Sequence, residues 1–165
     1  MSLRKDAYAG GIVIGVLLIV LFGVIYFFMP HNQPEMTMRL GDGVFKTWLV
    51  TGPTSKDDKT NRLALVPKLD PVNALLIKYD HNNRWPVYMK DVKEPIDIVW
   101  LDSKKEVVSI VKNAQLDAVP YKAHEPTQKA RYVVELVAGT VDKKAISPGQ
   151  AAMFEFKNNQ GSLDQ

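Results

Sequence analysis

Hydrophobic and polar positions divide this chain into two parts with different patterns. Residues 8–29 form a run of 22 residues without a charged side chain, YAGGIVIGVLLIVLFGVIYFFM. A helix of that length extends about 33 Å, enough to cross a hydrocarbon core of about 30 Å. From residue 39 onward, the apolar positions come in short runs separated by Gly, Pro, Asn and Asp. The pattern predicts one transmembrane helix followed by a β-rich domain.

The flanks of the apolar run predict its orientation. A secretory signal peptide is the competing interpretation, but its apolar core holds about 7–15 residues, and this run is longer. Arg4 and Lys5 precede the run, whereas residues 31–38 carry neither Lys nor Arg. This bias predicts a single-pass protein of the cell membrane whose C-terminal domain lies outside. The predicted segments are a cytoplasmic N-terminus at 1–7, an anchor at 8–29, a linker at 30–38, a β-rich extracytoplasmic domain at 39–156 and a flexible tail at 157–165.

The β-rich part contains several apolar runs rich in β-branched and aromatic residues. Two stretches, 56–65 and 139–146, are instead typical of short helices. These elements predict a mainly β (α+β) fold, built as a compact antiparallel sheet or partly closed barrel with one or two short helices. The predicted strands are 44–51, 74–79, 86–89, 96–101, 106–112, 131–137 and 151–156.

Composition excludes several classes of site. The 21 basic and 18 acidic residues give a net charge of +3, spread along the chain, so no nucleic-acid partner is predicted. The chain contains no cysteine, which excludes disulfides and thiolate metal sites. The three histidines lie far apart and lack ligand spacing, so neither a metal site nor a cofactor is predicted. No nucleophile elbow, phosphate loop or dinucleotide fingerprint is present, and no catalytic residue is assigned.

One acid lies inside the most apolar predicted strand. Side chains alternate along a strand, and in Ile-Asp-Ile-Val-Trp-Leu at 96–101 both faces are apolar apart from Asp97. The strand is therefore expected to be covered on both sides, with Asp97 at least partly buried. An ionised carboxylate stays buried only when it is paired. Lys90 or a loop amide is the expected partner.

A second acid occupies a similar position at 131–137. Glu135 shares a face with Val133 and Val137, and Arg131 points the same way. Two acids held by two bases predict a polar cluster in the β core. The cluster is interpreted either as a structural set of ion pairs and hydrogen bonds or as a binding pocket. The residues of this pocket or structural cluster are Trp85, Met89, Lys90, Asp97, Tyr121, Arg131 and Glu135.

Several segments together resemble one known family. Val-Tyr-Met-Lys-Asp-Val at 87–92 and Pro-Ile-Asp-Ile at 95–98 resemble the Phe-Trp-Met-Lys-Asn-Thr and Pro-Leu-Asp-Ile segments of domain of unknown function 192, an uncharacterised bacterial and archaeal family. Tyr-Val-Val-Glu at 132–135 resembles its Tyr-Val-Leu-Glu run. Arg-Leu-Ala-Leu at 62–65 resembles its Arg-Gly-Leu-Met segment in part. The similarity extends over about residues 44–156.

The resemblance implies a divergent member with a small β-rich fold, of a kind often found in exported or membrane-anchored proteins. It also implies that Met89, Lys90, Asp97, Tyr132 and Glu135 belong to one arrangement. It supplies no activity and no catalytic residue.

The function predicted from the sequence is a membrane-anchored extracytoplasmic binding or interaction module of unknown ligand. Its predicted partners are the membrane, through residues 8–29, and an unknown protein or envelope component. The alternative is an enzyme that acts on a small ligand or an envelope saccharide through Lys90, Asp97 and Glu135. The absence of a nucleophile–base set in the sequence favours the binding module.

Overall fold

A computed structural model describes residues 36–53, 62–65, 68–116 and 120–156. Two short helices occur in these ranges, a 3₁₀ helix at Arg62–Leu65 and α1 at Thr140–Lys143. The strands are β1 (Met36–Leu40), β2 (Gly43–Thr51), β3 (Asn73–Asn83), β4 (Val87–Tyr88), β5 (Ile96–Leu101), β6 (Val107–Ala114), β7 (Ala123–His124), β8 (Ala130–Val137) and β9 (Met153–Phe156).

The strands form one large mixed sheet and one small sheet. The large sheet has the order β6-β5-β8-β3-β2-β1-β9, and β4 pairs with β7 separately. β2 and β3 are parallel, whereas the other neighbours in the large sheet are antiparallel. The prediction of an antiparallel sheet was therefore wrong for the pair β2–β3, which is parallel. Parallel neighbours need a long crossover rather than a hairpin, and residues 52–72 lie between β2 and β3.

The large sheet is open rather than closed into a barrel. β6 and β9 are its edges, and in the described part of the chain no ladder joins them. An isolated bridge between Glu106 and Ala151 brings the beginning of β6 beside the segment that leads into β9. The backbone N–H of Val107 also donates to the carbonyl of Gln150 at 2.8 Å. The sheet is therefore not a closed barrel, and its two edges meet at one end.

Both faces of β5 are covered. All six of its residues are buried, which confirms that expectation. Val99 and Leu101 pack in a first core with Met38, Phe45 and their neighbours. On the other face, Ile96, Ile98 and Trp100 pack in a second core that also contains Tyr79 and Trp85. β5 is therefore buried between the two cores, as the apolar character of both its faces predicts.

Two strands were not predicted. β1 lies partly in the segment assigned to the linker at 30–38, and β7 lies between the predicted strands at 106–112 and 131–137, where no strand was predicted. In β1 the side chains of Met36, Met38 and Leu40 are buried, while Arg39 is exposed. This alternation is the usual pattern of a half-buried strand, but five residues are too few for it to stand out. α1 lies within the predicted helix at 139–146, and Arg62–Leu65 forms the end of the one predicted at 56–65.

The predicted anchor lies outside the described residues. The same is true of the N-terminus at 1–7, most of the linker at 30–38 and the tail at 157–165. In the ranges that the structure does describe, no helix has the length and apolar character to cross a membrane.

Candidate functional site: a buried glutamate beside an apolar cleft

Two backbone amides hold the carboxylate of Asp97. The side chain is fully buried, with 0% exposed. Oδ1 accepts a hydrogen bond from the N–H of Asn113 at 2.8 Å, and Oδ2 accepts one from the N–H of Val141 at 2.8 Å. Hydrogen bonds from backbone N–H groups to an ionised carboxylate are among the stronger ones in proteins. Backbone amides, one of the two expected kinds of partner, therefore bind Asp97.

The pairing of β5 with β6 explains why an amide is available there. The register of these strands shifts around Asp97, where two residues of β6, Lys112 and Asn113, face one residue of β5. Asn113 has a φ of 50°, and such a backbone conformation often accompanies an inserted residue in a strand. Val141 lies in the first turn of α1. One carboxylate thus ties β5, β6 and α1 together.

Glu135 lies on the opposite face of the sheet from Asp97. In the pairing of β5 with β8, Glu135 faces Ile98, whereas Asp97 faces Leu136. Paired residues of neighbouring strands project to the same side, and successive residues alternate. The structure therefore does not bring the two acids together, and the single polar cluster expected from the sequence is not formed.

Glu135 is a buried acid in apolar surroundings. It is 5% exposed, and its neighbours across the ladder are Ile98 on β5 and Leu75 on β3. Burial raises the pKa of the Glu135 carboxyl to about 7, and the positive charge of Arg62 opposes this rise. Removal from water disfavours the charged form of an acid, and a nearby cation favours it. The cation beside Glu135 is thus Arg62 of the 3₁₀ helix, whereas Arg131 was the expected one.

Two adjoining cavities meet the second core near Glu135. The smaller, of about 30 Å³, is lined by Glu135 and Arg62 together with Tyr79 and Tyr88. The larger has a volume of about 470 Å³ and is called the cleft below. The two share Val92 and Ile96. The residues that line the cleft are Leu63, Ala64, Lys68, Leu69, Asp91, Val92, Lys93, Glu94, Pro95, Ile96 and Val137.

The charged side chains of the cleft balance one another. Lys68 and Lys93 oppose Asp91 and Glu94. Lys68 and Glu94 form an exposed ion pair with 2.6 Å between Nζ and Oε1. Exposed pairs of this kind contribute little to stability, because water screens them. The apolar walls and the buried Glu135 are therefore the distinctive features of this region.

The other residues of the predicted site are dispersed. Trp85 is buried and stacks on Tyr79 with 4.4 Å between ring centroids. Met89 is also buried in the second core. Lys90 is partly exposed, with Nζ 3.9 Å from the Asp91 carboxylate, and Tyr121 lies just before β7. None of these side chains lines either cavity.

Arg131 stands apart in a different way. Among the described residues, its buried Nε has no hydrogen-bond partner.

In the ranges that the structure describes, no group of three or more His, Asp or Glu side chains is placed to hold a metal ion.

Sequence reasoning found Glu135 but missed the residues around it. Arg62, Tyr79 and Tyr88 reach the small cavity from the 3₁₀ helix, β3 and β4. They are separated by 17 and 9 positions along the chain, and no local pattern joins them. One sequence feature pointed to Arg62, namely the similarity of residues 62–65 to a segment of the family. That similarity did not indicate that Arg62 lies near Glu135.

Replacing Asp97 tests its role in the scaffold. We expect Asp97→Asn to lower the free energy of unfolding by about 2 kcal/mol or more, because an amide offers one acceptor oxygen where two N–H groups must be satisfied. Urea unfolding measures this loss. The control is Asp102→Asn. The backbone N–H groups of Lys104 and Glu106 both donate to Oδ1 of Asp102, and the amide oxygen of Asn can accept both bonds. Equal stability of Asp97→Asn and wild type would contradict the scaffold role.

The buried Glu135 predicts a pH dependence of stability. The folded-state pKa of about 7 lies above the ordinary value of 4.5 for a glutamate side chain, so the folded state holds this proton more tightly than the unfolded state. The contribution is therefore favourable at low pH and is lost as the pH rises through about 7. Between pH 4 and pH 8 we expect wild type to lose about 3 kcal/mol relative to Glu135→Gln. Urea unfolding at several pH values measures it, with the exposed Glu155→Gln as control. Parallel curves for wild type and Glu135→Gln would count against the raised pKa.

Comparison with known proteins gives the family of the chain. Two solved structures share the fold. A candidate transcription regulator from Sinorhizobium meliloti is 20% identical, with a TM-score of 0.62 over 74% of this chain and 95% of that one. A protein of unknown function from Novosphingobium aromaticivorans is 17% identical, with a TM-score of 0.58 over 72% and 83%. Identities this low show the fold alone.

The family model gives a more specific result. No curated protein matches the chain. Residues 50–154 match the model of DUF192, described as Uncharacterized ACR. The matched segment is more than half of the 165 residues and contains β5, β8 and the residues around Glu135. The resemblance noted in the sequence is confirmed, and the chain belongs to the DUF192 family.

Proposed function

We propose that this chain is a membrane-anchored extracytoplasmic module that binds an envelope component in the cleft beside Glu135. The observation that carries the proposal is the cleft of about 470 Å³. Binding sites for small molecules commonly have volumes of about 300–1,000 Å³, with largely apolar walls and a few polar groups. The cleft has this character, since Leu63, Leu69 and Val137 contribute apolar surface.

The position of Glu135 supports the same site. An acid that titrates near neutral pH in a cleft is a candidate functional group on physical grounds, because burial has shifted it away from the usual range. Glu135 belongs to the small cavity that adjoins the cleft at Val92 and Ile96. A ligand in the cleft therefore lies beside the strongly perturbed acid of the second core.

The geometry favours binding over the alternative enzyme. That enzyme requires Lys90, Asp97 and Glu135 to act together. The Asp97 carboxylate is occupied by two backbone amides on the other face of the sheet. Lys90 lies beside Asp91 and lines neither cavity. An acid–base mechanism needs its groups within hydrogen-bond reach of the same substrate, and this trio does not meet that condition.

The proposed location rests on the sequence. The uncharged run at 8–29 has the length of a membrane-spanning helix, and Arg4 and Lys5 precede it. An anchor of this kind places the binding domain beside the membrane surface, where an envelope component is within reach.

Filling the cleft tests the binding site. We expect native mass spectrometry of the full chain, purified gently from its membrane, to show a bound mass that is absent from Ala64→Trp and Val137→Trp, because both residues line the cleft. The control is Val44→Trp, at an exposed position of β2 outside the cleft. Circular dichroism checks the fold of each variant. A mass retained by every variant, or found on none of the proteins, would contradict the proposed site.

Protease accessibility tests the location. We expect protease added to spheroplasts to degrade the domain without detergent, because the orientation of the anchor exposes it on the outer side. In inverted membrane vesicles the domain should be protected. A cytoplasmic protein serves as the control for leakage. Protection in spheroplasts together with degradation in inverted vesicles would reverse the proposed orientation.

A further inference from the structure

We propose that the cleft selects ligands that combine an aliphatic body with a protonated amine, and that the amine binds against Glu135. This inference rests on the proposed function, because it names the ligand class of the same cleft. It follows from three properties of the site: the apolar surroundings of Glu135, the two wall residues that both cavities share, and the difference in exposure between Glu135 and Arg62.

The first property is the setting of the Glu135 side chain. β8 lies between β5 and β3 in the sheet. The paired residues on either side, Ile98 and Leu75, are both 0% exposed. On this face of the sheet Val133 is also buried in the second core. A carboxylate among such neighbours loses most of its hydration, so its charged form gains strongly from any cation that reaches it.

The second property is the route from the cleft to the acid. Val92 and Ile96 line both the cleft and the small cavity that contains Glu135. Apolar side chains from the 3₁₀ helix and from β8, Leu63 and Val137, line the cleft. An aliphatic chain that packs against these walls directs a terminal group toward the small cavity. Apolar walls in the cleft and a polar group in the small cavity suit a ligand with an apolar body and a polar end.

The third property is the difference between Glu135 and Arg62. The titratable groups around the small cavity are Glu135 on β8, Arg62 on the 3₁₀ helix, Tyr79 on β3 and Tyr88 on β4. Arg62 is only partly buried, so water solvates part of its guanidinium. Glu135 is 5% exposed. The desolvated charge is therefore the negative one, and a ligand cation relieves it, whereas a ligand anion adds a second desolvated negative charge.

The charged side chains at the rim of the cleft, which are Lys68, Asp91, Lys93 and Glu94, do not oppose the preference for a ligand cation. Lys68 and Lys93 oppose Asp91 and Glu94, so the rim charges cancel. These side chains are at least partly exposed, and solvent screens their effect on a ligand. The small cavity, where Glu135 lies, therefore distinguishes between positive, neutral and negative end groups of a ligand.

Three probes with the same alkyl chain test the inference. They are n-butylamine, 1-butanol and butyrate, whose end groups are positive, neutral and negative at pH 8. Each probe is titrated into the full-length chain in detergent, and thermal unfolding is followed by tryptophan fluorescence. Binding to the folded state raises the midpoint in proportion to ligand affinity. Variants in the same detergent correct for probe that partitions into micelles.

We expect wild type at pH 8 to bind butylamine about tenfold more tightly than butanol, and butyrate most weakly. In Glu135→Gln the amine and the alcohol should bind alike. The charge-matched control is Asp80→Asn, which removes one acid at an exposed position outside both cavities. It should keep the preference for amine. In wild type the preference should also diminish from pH 8 to pH 6, because protonated Glu135 no longer attracts a cation.

Four results overturn the inference. Equal binding of the three probes to wild type, or a preference for amine that persists in Glu135→Gln, removes the role of Glu135 but leaves a cleft that binds ligands. A preference for butyrate assigns the site to anions. If no probe shifts the midpoint of thermal unfolding, the amine class is overturned. The native mass spectrometry experiment then tests the proposed function separately.

Discussion

The fold depends on a buried carboxylate that satisfies backbone groups from two other elements. Asp97 accepts hydrogen bonds from Asn113 of β6 and Val141 of α1. A strand irregularity and the beginning of a short helix both leave backbone N–H groups without a ladder partner. In the core such groups require an acceptor, and one acid in the middle of β5 supplies two oxygens. The polar residue in the most apolar strand is therefore part of the scaffold that joins β5, β6 and α1.

Glu135 shows how a similar sequence position leads to a different outcome. Both acids lie in buried strands of the same sheet, one residue apart in register, and this single step places them on opposite faces. Asp97 meets amide donors, whereas Glu135 meets apolar side chains and the charge of Arg62. The first acid holds two backbone N–H groups and thereby supports the fold. The second has a pKa near 7 and lies beside a cavity, a combination that favours a role in recognition.

The cleft is formed where the second core is incompletely covered. The 3₁₀ helix and residues 91–95 approach β5 and β8 without filling the space between them. The first core, by contrast, is covered by β1, β2 and α1, with buried Met36, Phe45 and Val141 among its members. Both faces of the sheet thus carry a packed core, and the face of the second core also bears the cleft that we propose as the binding site.

The sequence by itself determined the β-rich class, most strand positions, the family and the burial of Asp97 and Glu135, because alternation and apolar runs are local properties. It did not determine strand order, the parallel pairing of β2 with β3, or the faces on which the acids lie. Those features depend on register and on contacts between residues distant in the chain. The proximity of Glu135 and Arg62 has the same origin: 73 positions separate them, and only tertiary packing brings the charges near each other.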